Sequence, residues 1–137
     1  MNNVSINDYE FINSNVYKNF INNNPGRGYL KIRAYSANQA VPIKGLKVVV
    51  NKKIDGYNVN FFEGYTNESG VIENISLPAP KKDNNDLVIP QSTSYEIVAS
   101  YNGNANLFFV VNVYDELYVI QNISMVPSMN NGDNNGR

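Results

Sequence analysis

The residues available for chemistry are few in kind. The 137-residue chain contains no His and no Cys, which removes the usual neutral-pH base, thiolate nucleophiles and zinc–thiolate sites. Catalysis would have to rest on Asp, Glu, Lys, Ser, Thr and Tyr. Asp115-Glu116 is the one adjacent acidic pair. A retaining glycosidase needs two carboxylates about 5 Å apart across a cleft. Neighbours at a strand end point apart, so the pair reads as a solvated turn. Asp83 and Asp86 flank Asn84-Asn85, but the glycine and closing Glu of a calcium loop are missing. Ser69 lies in a turn with no nucleophile motif around it, and Gly26-Arg27-Gly28 lacks the rest of a phosphate loop. The expectation is a protein that is not an enzyme, with no cofactor and no metal site.

Aromatic side chains offer a different chemistry, because their faces bind rings and partner proteins. Phe61, Phe108 and Tyr95 read as packing residues. Tyr29, Tyr35 and Tyr65 are candidates for partner binding. Ile12, Val16 and Phe20 join them, since they recur at helical spacing with Tyr9, Tyr17 and Ile21. That stripe predicts one short amphipathic helix over 8–22, opened by Asn7 or Asp8 and stopped by Asn22 to Gly26. A helix this short is marginal alone and needs a partner, either the rest of the chain or another molecule.

The elements that must position these residues follow from a change of period. From Gly28 apolar residues alternate: Leu30, Ile32 and Ala34, then Leu46, Val48 and Val50. Asp55-Gly56 and Asn102-Gly103 mark hairpins. Further strands are expected at 59–65, 71–77, 94–101, 106–113 and 117–126, with a proline-bearing loop at 78–93. The predicted fold is all-β, a seven-stranded antiparallel β-sandwich with a short N-terminal helix. Residues 1–8 read as loose. The expected organisation is an extension over 1–27, a sandwich over 28–127 and a disordered tail over 128–137.

The formal net charge is −1, and no basic run exceeds two residues, which argues against nucleic acid. Asparagine accounts for 26 residues and suits a turn-rich chain. No apolar stretch reaches membrane-spanning length, and the first residues lack the pattern of a signal peptide.

Three pieces carry a resemblance. Ala40-Val41-Pro42-Ile43-Lys44-Gly45 before an alternating valine strand, the turn Thr66 to Gly70, and Tyr95-Glu96-Ile97-Val98-Ala99 together resemble the carboxypeptidase regulatory-like family. The resemblance implies a transthyretin-like (prealbumin-like) sandwich. Leu77-Pro78-Ala79-Pro80 and Ile120 to Ile123 look similar to versions found in clostridial spore and cell-wall proteins. Ser100 to Gly103 departs from the family pattern, and no catalytic residue is carried across. The expectation is a non-catalytic binding or scaffolding module with a protein or cell-wall polysaccharide partner, in a bacterial spore or cytoplasm. Its alternatives are a self-assembling subunit forming a homo-oligomer and, third, a hydrolase using only carboxylates.

Overall fold

A computed structural model describes residues 2–38, 41–85 and 87–126. It contains ten elements: β1 (Asn2–Ser5), α1 (Tyr9–Ile12), α2 (Asn15–Asn23), β2 (Gly26–Ser36), β3 (Lys47–Ile54), β4 (Tyr57–Tyr65), β5 (Val71–Ala79), β6 (Ser92–Ser100), β7 (Leu107–Tyr114) and β8 (Tyr118–Met125). The strands form two sheets, ordered β1-β4-β3-β6-β7 and β5-β2-β8. Leu30, Ile32, Val48, Val50, Val59, Leu77, Ile97, Val113 and Ile123 fill the space between them. These are the alternate residues of each strand, so period two decides which side chains meet in the core.

Four expectations are corrected. Among the described residues there are eight strands, because Asn2–Ser5 is not loose: it pairs with β4, from Asn2↔Tyr57 to Ser5↔Asn60. The sandwich is not wholly antiparallel, since β1–β4 and β2–β8 are parallel pairs. The single helix is two. Ser14 Oγ accepts the Tyr17 N–H at 3.3 Å and so caps a fresh helix, which breaks the run after Ile12. Phe108 is not packing, being 63% exposed on β7. The tail over 128–137 lies outside the described residues.

The N-terminal helices are joined to the sandwich by aromatic contacts. Phe20 lies 5.7 Å from Phe61, which lies 5.2 Å from Tyr95. Phe11 lies 5.2 Å from Tyr57. Asn24 closes the end of α2: its amide donates to Phe20 O, and its side-chain oxygen accepts the Thr93 hydroxyl of β6. Both Asn24 and Thr93 are buried, so an unpaired group there would carry a desolvation penalty.

Candidate functional site

Strand β2 is central in the smaller sheet and presents two unlike faces. Gly26, Gly28, Leu30, Ile32 and Ala34 are buried. Arg27, Tyr29, Lys31, Arg33 and Tyr35 alternate with them on the outer face. Strand rise places each about 7 Å from the next along one line. Strand β8 pairs beside them in register, Tyr29↔Tyr118, Lys31↔Ile120, Arg33↔Asn122 and Tyr35↔Ser124. The result is an outward strip of three cations and two rings in a protein of net charge −1.

The strip is held in shape by its neighbours. The Tyr29 and Tyr118 rings stack 4.9 Å apart at 25°. Arg27 lies across β5, where Nε donates to Ser76 Oγ at 2.9 Å and Nη2 to Ser76 O at 3.0 Å. Lys31 meets Glu73 at 3.6 Å. Arg33 is exposed and, among the described residues, forms no ion pair. It lines a small polar hollow with Tyr35, Ser69 and Asn122. Of Arg27, Lys31 and Arg33, only Lys31 forms an ion pair among the described residues, with Glu73. This arrangement can hold a flat ring on the tyrosine pair and a negative group beside the cations.

Two of the six candidate residues, Tyr29 and Tyr35, share the outer face of β2 but lie about 20 Å apart along it. Tyr65 stands at the end of β4 in the other sheet, 61% exposed. Phe20 is buried against the chain's own sandwich, Val16 packs half-buried beside it, and Ile12 ends α1 half-buried. The sequence reading missed Arg27, Lys31, Arg33 and Tyr118. The alternation of 27–35 carried the signal for the first three. Tyr118 could not be placed without the parallel β2–β8 register.

A second feature lies at one end of the sandwich. Asp115 is not a solvated turn residue, with its side chain only 5% exposed. Oδ1 accepts the Arg27 N–H at 3.0 Å and Oδ2 the Lys82 N–H at 2.9 Å. The Lys82 amide, with help from that of Arg27 and the nearby Lys81 and Lys82 ammoniums, holds its carboxyl below the usual carboxylate value against the opposing effect of desolvation. Asp115 therefore fastens the 80–91 loop to the start of β2. Glu116 points away and meets Lys82 at 3.3 Å. The acidic pair is split between an inner structural role and an outer ion pair. A cleft of about 570 Å³ lies under the loop, between Pro80, Val88, Ile89, Pro90, Tyr114 and Leu117. No cluster of three or more acidic side chains suited to a metal ion occurs among the described residues, and no helix among them is long and apolar enough to cross a membrane.

No family model matches the chain, and no curated protein matches it. Solved structures do. A 5-hydroxyisourate hydrolase from Klebsiella pneumoniae is 18% identical, with a TM-score of 0.46, over 74% of this chain and 91% of its own. Transthyretin from Sparus aurata is 15% identical, with a TM-score of 0.44, over 70% and 90%. An (S)-allantoin synthase is 15% identical, with a TM-score of 0.47, over 79% of this chain but 44% of its own. Likeness at this level concerns fold alone.

The functional expectation is corrected at the same point. Two of these three structures are of proteins named as enzymes. The reading as a non-catalytic binding or scaffolding module does not stand. The absence of His and Cys narrows the chemistry open to this chain without excluding it.

Proposed function

We propose that the protein binds a small, flat, ring-bearing organic anion on the outer face of the β5-β2-β8 sheet. The observation that carries this reading is the Tyr29–Tyr118 stack, set in one line with Lys31 and Arg33. The ring rests against the tyrosines. Its anionic group lies between Lys31 and Arg33, where Glu73 offsets only part of the positive charge. Arg27, pinned to Ser76, borders the other side of the ring. Any reaction of such a ligand would draw on the Lys31 amine, the Arg33 guanidinium and tyrosine hydroxyls. The finer likeness to the carboxypeptidase regulatory-like family rests on residues 40–50, the turn Thr66 to Gly70 and Tyr95 to Ala99, and Pro42 of the first piece bridges to Tyr35 at the end of this strip.

A titration series tests the proposal. Naphthoate, neutral naphthol and cationic naphthylmethylammonium share a ring and differ in charge. The expected order of affinity is naphthoate, naphthol, then the cation. Arg33→Gln is expected to weaken naphthoate about tenfold, as loss of one charge-assisted contact would. Equal binding of all three compounds, or an unchanged Arg33→Gln, contradicts the reading.

A further inference from the structure

A polar hollow of about 350 Å³ lies at the end of β2, lined by Arg33, Ala34, Tyr35, Pro42, Ser69 and Asn122. The turns at 42–45 and 66–70, which the ring site leaves unused, both wall it. The Ala34 N–H donates to Gly70 O at 2.7 Å, the Ile43 N–H donates to Ala34 O at 3.0 Å, and Pro42 bridges to Tyr35. Ser69 is set by the Asn67 side chain, whose Oδ1 accepts the Ser69 and Val71 N–H groups at 2.9 and 3.0 Å. Gly70 has a φ of +74°, and a Cβ there would strike Ala34 O, so the turn presses this close only with glycine. Asn122 enters from β8, in register with Arg33. Four segments distant in sequence are clipped round one small space.

The charges decide what fits. Among the described residues no carboxylate lines the hollow. Glu68, beside Ser69, is paired with Lys44 at 3.5 Å, and Glu73 on β5 with Lys31 at 3.6 Å. Arg33 has no ion pair among the described residues. The Ser69 and Tyr35 hydroxyls and the Asn122 amide add donors that make no hydrogen bond among the described residues. These donors come from β2, from β8 and from the turn. A planar carboxylate meets donors in one plane, whereas a tetrahedral oxyanion accepts from several directions.

We infer that the hollow binds a tetrahedral oxyanion, a phosphate group held by the Arg33 guanidinium and the Ser69, Tyr35 and Asn122 donors. The site goes beyond the ring-binding reading. It shares Arg33 with the sheet face, but Arg33 lies about 13 Å along β2 from Tyr29. The hollow needs no ring on the tyrosines.

The test is a titration of the full chain with inorganic phosphate, methyl phosphate and acetate at about pH 7.5, where phosphate is chiefly dianionic. Saturable amide shifts are expected at Ser69, Gly70 and Asn122. Half-saturation should fall at about 1 mM, the strength of a few charge-assisted contacts, with acetate about tenfold weaker. Methyl phosphate binding as tightly as phosphate assigns the site to a phosphate ester, and binding lost on methylation assigns it to the free ion. Asn122→Asp sets a carboxylate beside Arg33 and should abolish phosphate binding. Ser69→Ala should weaken phosphate about fivefold and leave naphthoate unchanged, while Tyr118→Ala should do the reverse. Phosphate bound at these residues when naphthoate does not bind at all would support the hollow and count against the ring site alone. No saturable shifts at the three residues, acetate as tight as phosphate, or undiminished affinity in Asn122→Asp overturns the inference.

Discussion

The rings of Tyr29 and Tyr118 lie 4.9 Å apart at 25°, although 89 positions separate them in the chain. The parallel pairing of β2 with β8 makes them neighbours, each on the outward step of its strand. Tyr118 is 67% exposed, so little of its area is buried by folding. Tyr118→Ala is therefore expected to cost at most about 1 kcal/mol of stability, the worth of an exposed aromatic pair, and to weaken naphthoate severalfold. Chemical denaturation and the ligand titration read the two effects separately.

Asp115→Ala should behave differently. It leaves the Arg27 and Lys82 N–H groups without their acceptor, at a cost of about 2–3 kcal/mol. Hydrogen exchange at the Lys82 amide should accelerate more than at the core strands, because the loop is released before the sheet. The pH dependence has a fixed sign. The folded-state carboxyl titrates below its ordinary value of 3.8, so its contribution is fully present above that value. It is lost as pH falls through the lower folded value. Acid denaturation should therefore begin earlier on the pH scale in the wild type relative to its own neutral-pH stability than in Asp115→Ala, whose acid limb should be flatter.

Tyr95 gives the opposite limb. It is almost wholly buried, and its hydroxyl donates to Pro78 O, tying β6 to the end of β5. Burial chiefly pushes its phenol upward, partly opposed by Arg27. A raised folded value means stability present below the unfolded value near 10 and lost as pH rises beyond it. Tyr95→Phe should cost about 1–2 kcal/mol at neutral pH, for the Pro78 carbonyl left unmet. It should also lessen the loss of stability above the phenol range, which denaturation curves at stepped alkaline pH would show.

Phe20→Ala tests whether α2 belongs to the core. Phe20 touches Phe61, which in turn meets Tyr95 edge-on. A loss of about 3–4 kcal/mol is expected, with a single cooperative transition retained. A loss under about 1 kcal/mol, the range of a surface substitution, would mean that the helix is only loosely attached.

Much of this fold was legible in the sequence, and the reasons are local. Alternation at Leu30-Ile32-Ala34 and Leu46-Val48-Val50 marks strands because burial of one face demands it. Asp55 and Asn102, each before a glycine, do adopt the positive φ that their hairpins require. What escaped was non-local. Asn2–Ser5 is polar in sequence and becomes a strand only because the edge of β4 offers it hydrogen-bond partners. The break at Ser14 was hidden by an apolar stripe that continues through it, while the cap decides where the helix restarts. Asp115 looked like a solvated turn residue because its two partners, Arg27 and Lys82, lie 88 and 33 positions away. The cations of the site were visible as every second residue of 27–35. Their meaning required knowing which face the core left open.

Close packing sets one further limit on β2. A Cβ on Gly28 would meet Tyr114 O at 2.3 Å and Val113 Cγ1 at 2.5 Å. Neither neighbour is a flexible side-chain end, so Gly28→Ala must move the backbone that carries Tyr29. A cost of about 3 kcal/mol is expected from overpacking. Ligand binding should weaken with it, even though the substituted side chain faces the core. Calorimetric unfolding and the same titration check both.

The location of bound naphthoate decides the central claim most directly. Backbone amide shifts recorded through a titration of the full chain should change saturably at Tyr29, Lys31, Arg33, Tyr118 and Ile120, with the β3–β4 hairpin around Asp55 unmoved. Saturable shifts centred elsewhere, or none at these five residues, would contradict a ligand site on the outer face of the three-stranded sheet.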